Sequence, residues 1–287
     1  MINKKVTGGF TLIELTVVLF IVSLLLAGLL LPLRQGIETE RRAETLTRLK
    51  SIEESLYGFA IANGRLPCPD CRVAAGNCPG AGNTINDGLE DLVGNNCAAD
   101  PNPGAGTPND VLEGNLPWVT LGTNQFDNWE SWFTYSVVDF AADITGNGTP
   151  GLNDTNCVVT TENLATIDTC AVGNYTVQNV SAACPSPPAV LPPAVIAQNV
   201  MAVVVSHGAN VTRTAVPAVG LIDAPPLCSE LENLDQDGVF VSSSFINPGP
   251  PGATAVTAPS PLGIDDQIIW ISPNILKSKL IQSGRLP

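Results

Sequence analysis

Basic residues are scarce in this chain. Its 287 residues include 13 Lys and Arg against 27 Asp and Glu, for a formal net charge of −14. Between residues 66 and 276, 21 carboxylates face only Arg72 and Arg213. Holding a nucleic-acid backbone requires clustered Lys and Arg, so no nucleic-acid partner is expected. Lys277, Lys279 and Arg285 form a late basic cluster that reads as the solvated face of a helix. Histidine is nearly absent: His207 stands alone. It follows Ser206 directly, and neighbours on an extended strand point to opposite faces, which disfavours a nucleophile–base pair. No G-x-S-x-G, H-E-x-x-H or phosphate-binding loop occurs, so nothing points to an enzyme. Aromatic residues make up only 5% of the chain. With abundant Gly, Pro, Asn, Ser and Thr, this suggests a loop-rich β domain rather than a tight catalytic core.

Long apolar runs are absent too, with one exception. Residues 10–31 form a stretch of 22 in which only Thr11, Glu14, Thr16 and Ser23 are clearly polar. As a helix it would be about 33 Å long, enough to cross a bilayer core. Glu14 is anomalous there, because a charge in a membrane span is a functional hypothesis by default. An ordinary secretory signal carries its small-residue cleavage site after the apolar run. Here Gly8-Gly9 precedes it, and no A-x-A follows before Arg34. A plain signal anchor would explain the span but neither Glu14 nor the glycines.

The eight cysteines, Cys68, Cys71, Cys78, Cys97, Cys157, Cys170, Cys184 and Cys228, all lie beyond that run. An even count in an exported domain reads as disulfides, with 105 pairings open. Favouring neighbours in the chain gives Cys68–Cys97, Cys71–Cys78, Cys157–Cys170 and Cys184–Cys228. Cys68-Pro69-Asp70-Cys71 is a C-x-x-C, but a thioredoxin-type motif expects a βαβ setting. A zinc set completed by Cys78 and Cys97 would have irregular spacing.

Along the chain, residues 1–9 are a basic leader and residues 10–33 an apolar helix. Residues 34–63 continue it amphipathically, with Pro32 bending or loosening the rod. Ile37, Leu46, Leu49, Ile52, Leu56, Phe59 and Ala60 make a stripe that should bury against a sheet. Asn63-Gly64, with Pro67 beyond, is a stop signal. Residues 64–287 form an acidic, Cys-rich globular domain. Within it, residues 65–117 read as a disulfide-pinned loop with little regular structure. Residues 132–138, 175–180, 200–206, 239–245 and 267–271 read as strands. Ser272-Pro273 opens a short terminal helix over residues 274–282. The fold class expected is α+β: a long N-terminal helix packed by its second half on an antiparallel sheet.

Lys4-Lys5, Gly8-Gly9 and Phe10-Thr11-Leu12-Ile13-Glu14-Leu15 resemble the class III signal of type IV prepilins and type II secretion pseudopilins. The resemblance implies that prepilin peptidase cuts between Gly9 and Phe10 and methylates Phe10. It implies that Glu14 pairs with the Phe10 ammonium of a neighbouring subunit when helices bundle into a filament. It further implies storage in the bacterial inner membrane, single-pass, with the globular domain outside the cytoplasm. The partners are then the peptidase and other pilin or pseudopilin subunits. The alternative is a membrane-anchored surface adhesin or binding module that never polymerises.

A second set of elements is similar to the globular domain of major pseudopilins: Leu116-Pro117-Trp118, Asp127-x-Trp129, Ser206-His207-Gly208-Ala209-Asn210 and Asp265-Asp266-Gln267-Ile268-Ile269-Trp270. Glu130 stands where that family has glycine, and Gln267 interrupts its D-D-I run. The similarity implies calcium on Asn210, Asp265 and Asp266, although no cofactor is required by the sequence itself. Asn86-Asp87-Gly88 with Glu90 and Asp91, and Asp235 to Gly238, are further oxygen-rich turns without an EF-hand spacing.

Overall fold

A computed structural model describes residues 12–71, 84–93, 96–97, 111–138, 175–179, 194–208, 233, 238–242 and 266–284, with the side chains of residues 24–35 outside that description. The chain divides into two compact units, Met1–Glu44 and Thr45–Pro287. One helix, α1 (Leu12–Asn63), contributes to both. It runs through Pro32 without interruption. It stops where Gly64 turns left-handed (φ 75°) and donates its N–H to the Ala60 carbonyl at 2.8 Å. Glycine takes that conformation without a Cβ penalty.

No helix among the described residues is long and apolar enough to cross a membrane. The span expected over residues 10–33 is therefore not shown by the structure, and Phe10 and Thr11 lie outside the described residues.

The second unit is α+β. Its main sheet has the order β3 (Val111–Asn115), β4 (Thr134–Val138), β7 (Ala202–Ser206) and β9 (Gln267–Ile271), antiparallel throughout. Strands β4 and β7 are buried at every position, so the sheet centre is covered on both faces. A smaller sheet joins β6 (Val195–Val200), β5 (Tyr175–Gln178) and β8 (Val239–Val241). In it β5 runs antiparallel to β6 but parallel to β8, so this sheet is mixed, whereas the main sheet is antiparallel as expected. A two-residue ladder pairs β1 (Leu92–Val93) with β2 (Asn96–Cys97). Helix α2 (Trp118–Leu121) follows β3, and α3 (Pro273–Gln282) follows β9.

The core gathers Leu49, Ile52, Leu56, Tyr57 and Ala60 of α1 with Phe133, Tyr135 and Val137, the valines of β7, and Leu276 and Leu280 of α3. The buried stripe of α1 thus steps 45, 49, 52, 56, 60, with four- and three-residue spacing. Ile37 and Leu46, expected on that stripe, are exposed, and Phe59 is half-buried. Leu46 lies one residue beyond Thr45, which takes the inward position.

Three further expectations are corrected. Residues 200–206 are not one strand. Val200 closes β6 beside Tyr175, while Ala202 opens β7 between Val137 and Ile271. Asn199 at φ 60° turns the chain just before the changeover. Residues 65–117, expected to have little regular structure, supply the short strands β1 and β2 and the five-residue β3. Strand β3 carries Glu113 and Gly114, poor strand formers. Its pairing with β4 compensates, and a Cβ on Gly114 would collide with the Asp70 carbonyl that crosses it. Ser272 caps α3 by position, with extended dihedrals, yet its side chain makes no cap bond, while Pro273 opens the helix as expected.

Candidate functional site

Gly9 and Phe10 lie outside the described residues. Glu14 falls in the first turn of α1, where a carboxylate is favoured by the helix dipole. Around it Leu12, Ile13, Leu15, Val17, Val18, Leu19, Phe20, Ile21 and Val22 are all exposed, Leu12 at 82%. The two polar residues nearby are satisfied locally: the Thr16 hydroxyl donates to the Ile13 carbonyl at 2.9 Å and Ser23 to Phe20 at 2.8 Å. Such back-bonding lets a hydroxyl enter an apolar environment without orphaning its donor. An apolar surface of this extent is a contact surface for lipid or for other chains.

In the second unit, the ends of β4 and β7 carry a closed polar cluster. Asp127 is buried and holds three donors. Ser206 Oγ donates to Oδ2 at 2.7 Å, and the Trp129 and Ser131 N–H groups donate to Oδ1 at 2.9 Å each. Arg48 of α1 donates to the Phe126 and Asp127 carbonyls at 2.8 and 3.0 Å, and Thr45 Oγ1 accepts from the Asn128 N–H at 3.2 Å. The loop thereby anchors α1 to the sheet end. Burial pushes the Asp127 carboxyl above its ordinary range, against the opposing pull of the Ser206, Ser131 and Trp129 donors.

On the other face His207 Nε2 shares a hydrogen bond with Thr134 Oγ1 at 2.8 Å, and Nδ1 lies 3.7 Å from Asp266 Oδ2. Asn233 Nδ2 donates to that same Oδ2 at 2.7 Å, and Asn233 also exchanges bonds with the Val241 backbone. The structure thus separates Ser206 from His207, as adjacent strand residues must be, and sets a hydroxyl–imidazole–carboxylate row in their place. All three of its members are buried, Thr134 at 1% exposure. Their visible work is to tie β4, β7 and β9 to the segment that carries Asn233.

Of the expected calcium residues, Asn210 and Asp265 lie outside the described residues. Asp266 turns inward to Asn233 and His207. Among the described residues no group of three or more His, Cys, Asp or Glu could hold a metal ion.

Cys68 and Cys97 form a disulfide, with Cα atoms 5.3 Å apart across 29 positions of sequence. Of the four expected pairs it is the one whose two cysteines are both described. Cys71 is also disulfide-bonded, while Cys78, Cys157, Cys170, Cys184 and Cys228 lie outside the described residues. The C-x-x-C therefore does not close on itself, which removes its dithiol reading. Arg65 reinforces the same corner: its Nη1 and Nη2 reach the two Glu90 oxygens at 2.7 and 2.8 Å, and Glu90 also accepts the Cys68 N–H at 3.2 Å. A loop of this length predicts that Cys68→Ala lowers stability by roughly 3 kcal/mol. Thermal unfolding of the variant beside the parent measures it, and an unchanged midpoint would show that Arg65 and Glu90 suffice.

Residues 4–30 match the family model of the prokaryotic N-terminal methylation motif. The chain begins with a type IV pilin-like class III signal. No curated protein and no solved structure matches the chain. A class III signal implies a pilin- or pseudopilin-like precursor, processed by prepilin peptidase and assembled with other pilins. Its matched residues run into α1, so Glu14 and the exposed apolar side chains around it belong to the motif. The buried residues Asp127, Thr134 and Asn233 lie beyond the motif and share no local sequence pattern. Only Asp127-x-Trp129 was visible in advance, as an element similar to a pseudopilin segment.

Proposed function

We propose that this chain is a structural subunit, a minor one, of a type IV pilus or a type II secretion pseudopilus. The observation that carries the reading is the class III signal at residues 4–30 leading into α1, with exposed apolar side chains gathered around Glu14. In this reading the peptidase cuts between Gly9 and Phe10 on the cytoplasmic face and methylates the Phe10 nitrogen. Residues 10–33 then store the subunit in the inner membrane, with residues 64–287 outside the cytoplasm. Export is supported by the oxidised cysteines, since disulfides persist outside the reducing cytosol. Assembly moves α1 from lipid into a bundle of its own kind. There Glu14 meets the Phe10 ammonium of a neighbour, because a buried charge persists only when paired.

The test is the intact mass of the protein recovered from cells with and without prepilin peptidase. The expected mature species lacks residues 1–9 and carries one added methyl group, and it disappears in the peptidase-deficient strain. Full-length mass in peptidase-positive cells would overturn the reading.

A further inference from the structure

The corner held by the Cys68–Cys97 disulfide contains two buried side-chain oxygens without a hydrogen-bond donor among the described residues. Asp70 and Asn115 exchange backbone hydrogen bonds at 3.0 and 2.8 Å across an isolated antiparallel bridge. Directly opposed residues in such a bridge project their side chains to the same side. Asp70 is 0% exposed and Asn115 1%. Asp70 Oδ2 accepts the Gly88 N–H at 2.9 Å, but its Oδ1 has no donor among the described residues. Asn115 Nδ2 donates to Asn86 Oδ1, and its own Oδ1 also has no donor among the described residues. A buried acceptor without a donor costs about 1–3 kcal/mol, more when charged. Two on the same side of one bridge make a place where a positive centre would satisfy both.

The surroundings add negative charge. Asp91 is buried with Oδ2 on the Cys71 N–H at 2.7 Å, and Asp87 stands in the same turn. The nearby guanidinium of Arg65 is taken by Glu90 in a two-pronged pair. Burial, with Asp91 and Asp87, pushes the Asp70 carboxyl up to about 7 despite the backbone N–H donors of Gly88 and Asn86.

We propose that this corner is a cation site in which Asp70 Oδ1 and Asn115 Oδ1 are two ligands of a hard divalent ion, of which calcium fits best. The donors are all oxygen, which excludes a preference for zinc or copper. Calcium takes six to eight oxygens in flexible geometry, so loop carbonyls and water would complete the set. The turn is built for close approach: Asn86 and Gly88 both have positive φ, at 56° and 80°. A Cβ on Gly88 would run into the Trp118 ring, so the indole lies directly over the turn. This site is separate from the Asn210, Asp265 and Asp266 set, and it stands whether or not the chain polymerises.

The indole makes the test direct. Terbium, a calcium surrogate excited through nearby tryptophan, is added to the full-length protein in detergent. Sensitised emission is expected and is displaced by calcium. It falls at least tenfold in Trp118→Phe and in Asp70→Asn, and persists in Asp266→Asn. Calcium at about a hundred times its Kd should raise the melting temperature by about 5–10 °C relative to chelator. If Asp70→Asn does not fold, Asn115→Asp serves instead, and its added carboxylate should tighten calcium binding at least tenfold. Absence of terbium emission and of a calcium shift in the wild type would overturn the site. So would a calcium shift unaltered by Asn115→Asp, or emission lost in Asp266→Asn but kept in Trp118→Phe. A stability that falls with rising pH but ignores calcium would assign a proton, not a metal, to Asp70 and equally overturn the proposal.

Discussion

Glu14→Ala is expected to leave the subunit in the membrane and to remove it from filaments. The substitution deletes the only ionisable group in residues 10–33, so it makes that stretch more apolar and cannot weaken insertion. Its effect falls on assembly. In the proposed bundle the neighbour's Phe10 ammonium would lose its partner, and breaking a buried pair from one side costs about 3–5 kcal/mol. Each 1.4 kcal/mol is a factor of ten, so subunit addition should weaken by more than about a hundredfold. The exposed side chains from Leu12 to Val22 would remain, and with them the nonspecific attraction between helices. Membrane fractionation together with immunoblotting of sheared filaments checks both halves. Full incorporation of the alanine variant would remove the pairing role and favour a membrane-anchored module that does not polymerise.

Asp127→Ala is expected to cause the largest loss of stability of any single polar substitution in the second unit. Three buried donors would be orphaned at once: Ser206 Oγ and the backbone N–H groups of Trp129 and Ser131. The serine hydroxyl can rotate, but the two amides cannot. At about 1–3 kcal/mol for each orphaned group, the total is about 4 kcal/mol. The loop also presents the Phe126 and Asp127 carbonyls to Arg48, so the contact with α1 loosens as well. For a unit of this size the melting temperature should fall by about 10 °C.

The pH dependence has a defined sign. Burial raises the Asp127 carboxyl above its value in the unfolded chain. The stability that this group supplies is therefore complete below the ordinary carboxylate range, and it is lost as the pH rises through the folded value. Asp127→Asn does not titrate. The stability gap between the parent and this variant should narrow from acid toward neutral pH. A gap that widens would place the carboxyl below its ordinary value.

Legibility of the fold depended on how local each signal was. The start of β9 at Gln267, the end of α1 at Asn63 and the opening of α3 at Pro273 follow from alternation, a left-handed glycine and a proline at a helix start. These depend on a few consecutive residues. Strand β3 was hidden because Val-Leu-Glu-Gly-Asn has weak strand propensity and is held by β4 on one side and the Asp70 bridge on the other. The break at Met201 was hidden because both of its flanks are apolar. Two different sheets compete for them: Val200 joins Tyr175, and Met201 donates to the Ile271 carbonyl. Tyr57 was missed on α1 because a helix packed under a sheet buries a wider face than one ridge of a helical wheel.

The same division holds for function. The sequence by itself determined the processing signal, the apolar run with its one carboxylate, and the excess of negative charge. A peptidase motif and a hydropathy pattern are read along the chain, within a few residues. Of the open pairings, Cys68–Cys97 was expected from the sequence and the tertiary structure bears it out; only that structure decided that His207 turns to Thr134 and Asp266, and that Asp70 and Asn115 bury two oxygens without donors among the described residues. Those outcomes join residues from 29 to 73 positions apart. Burial sets their energies, and burial belongs to the packed core rather than to any stretch of sequence.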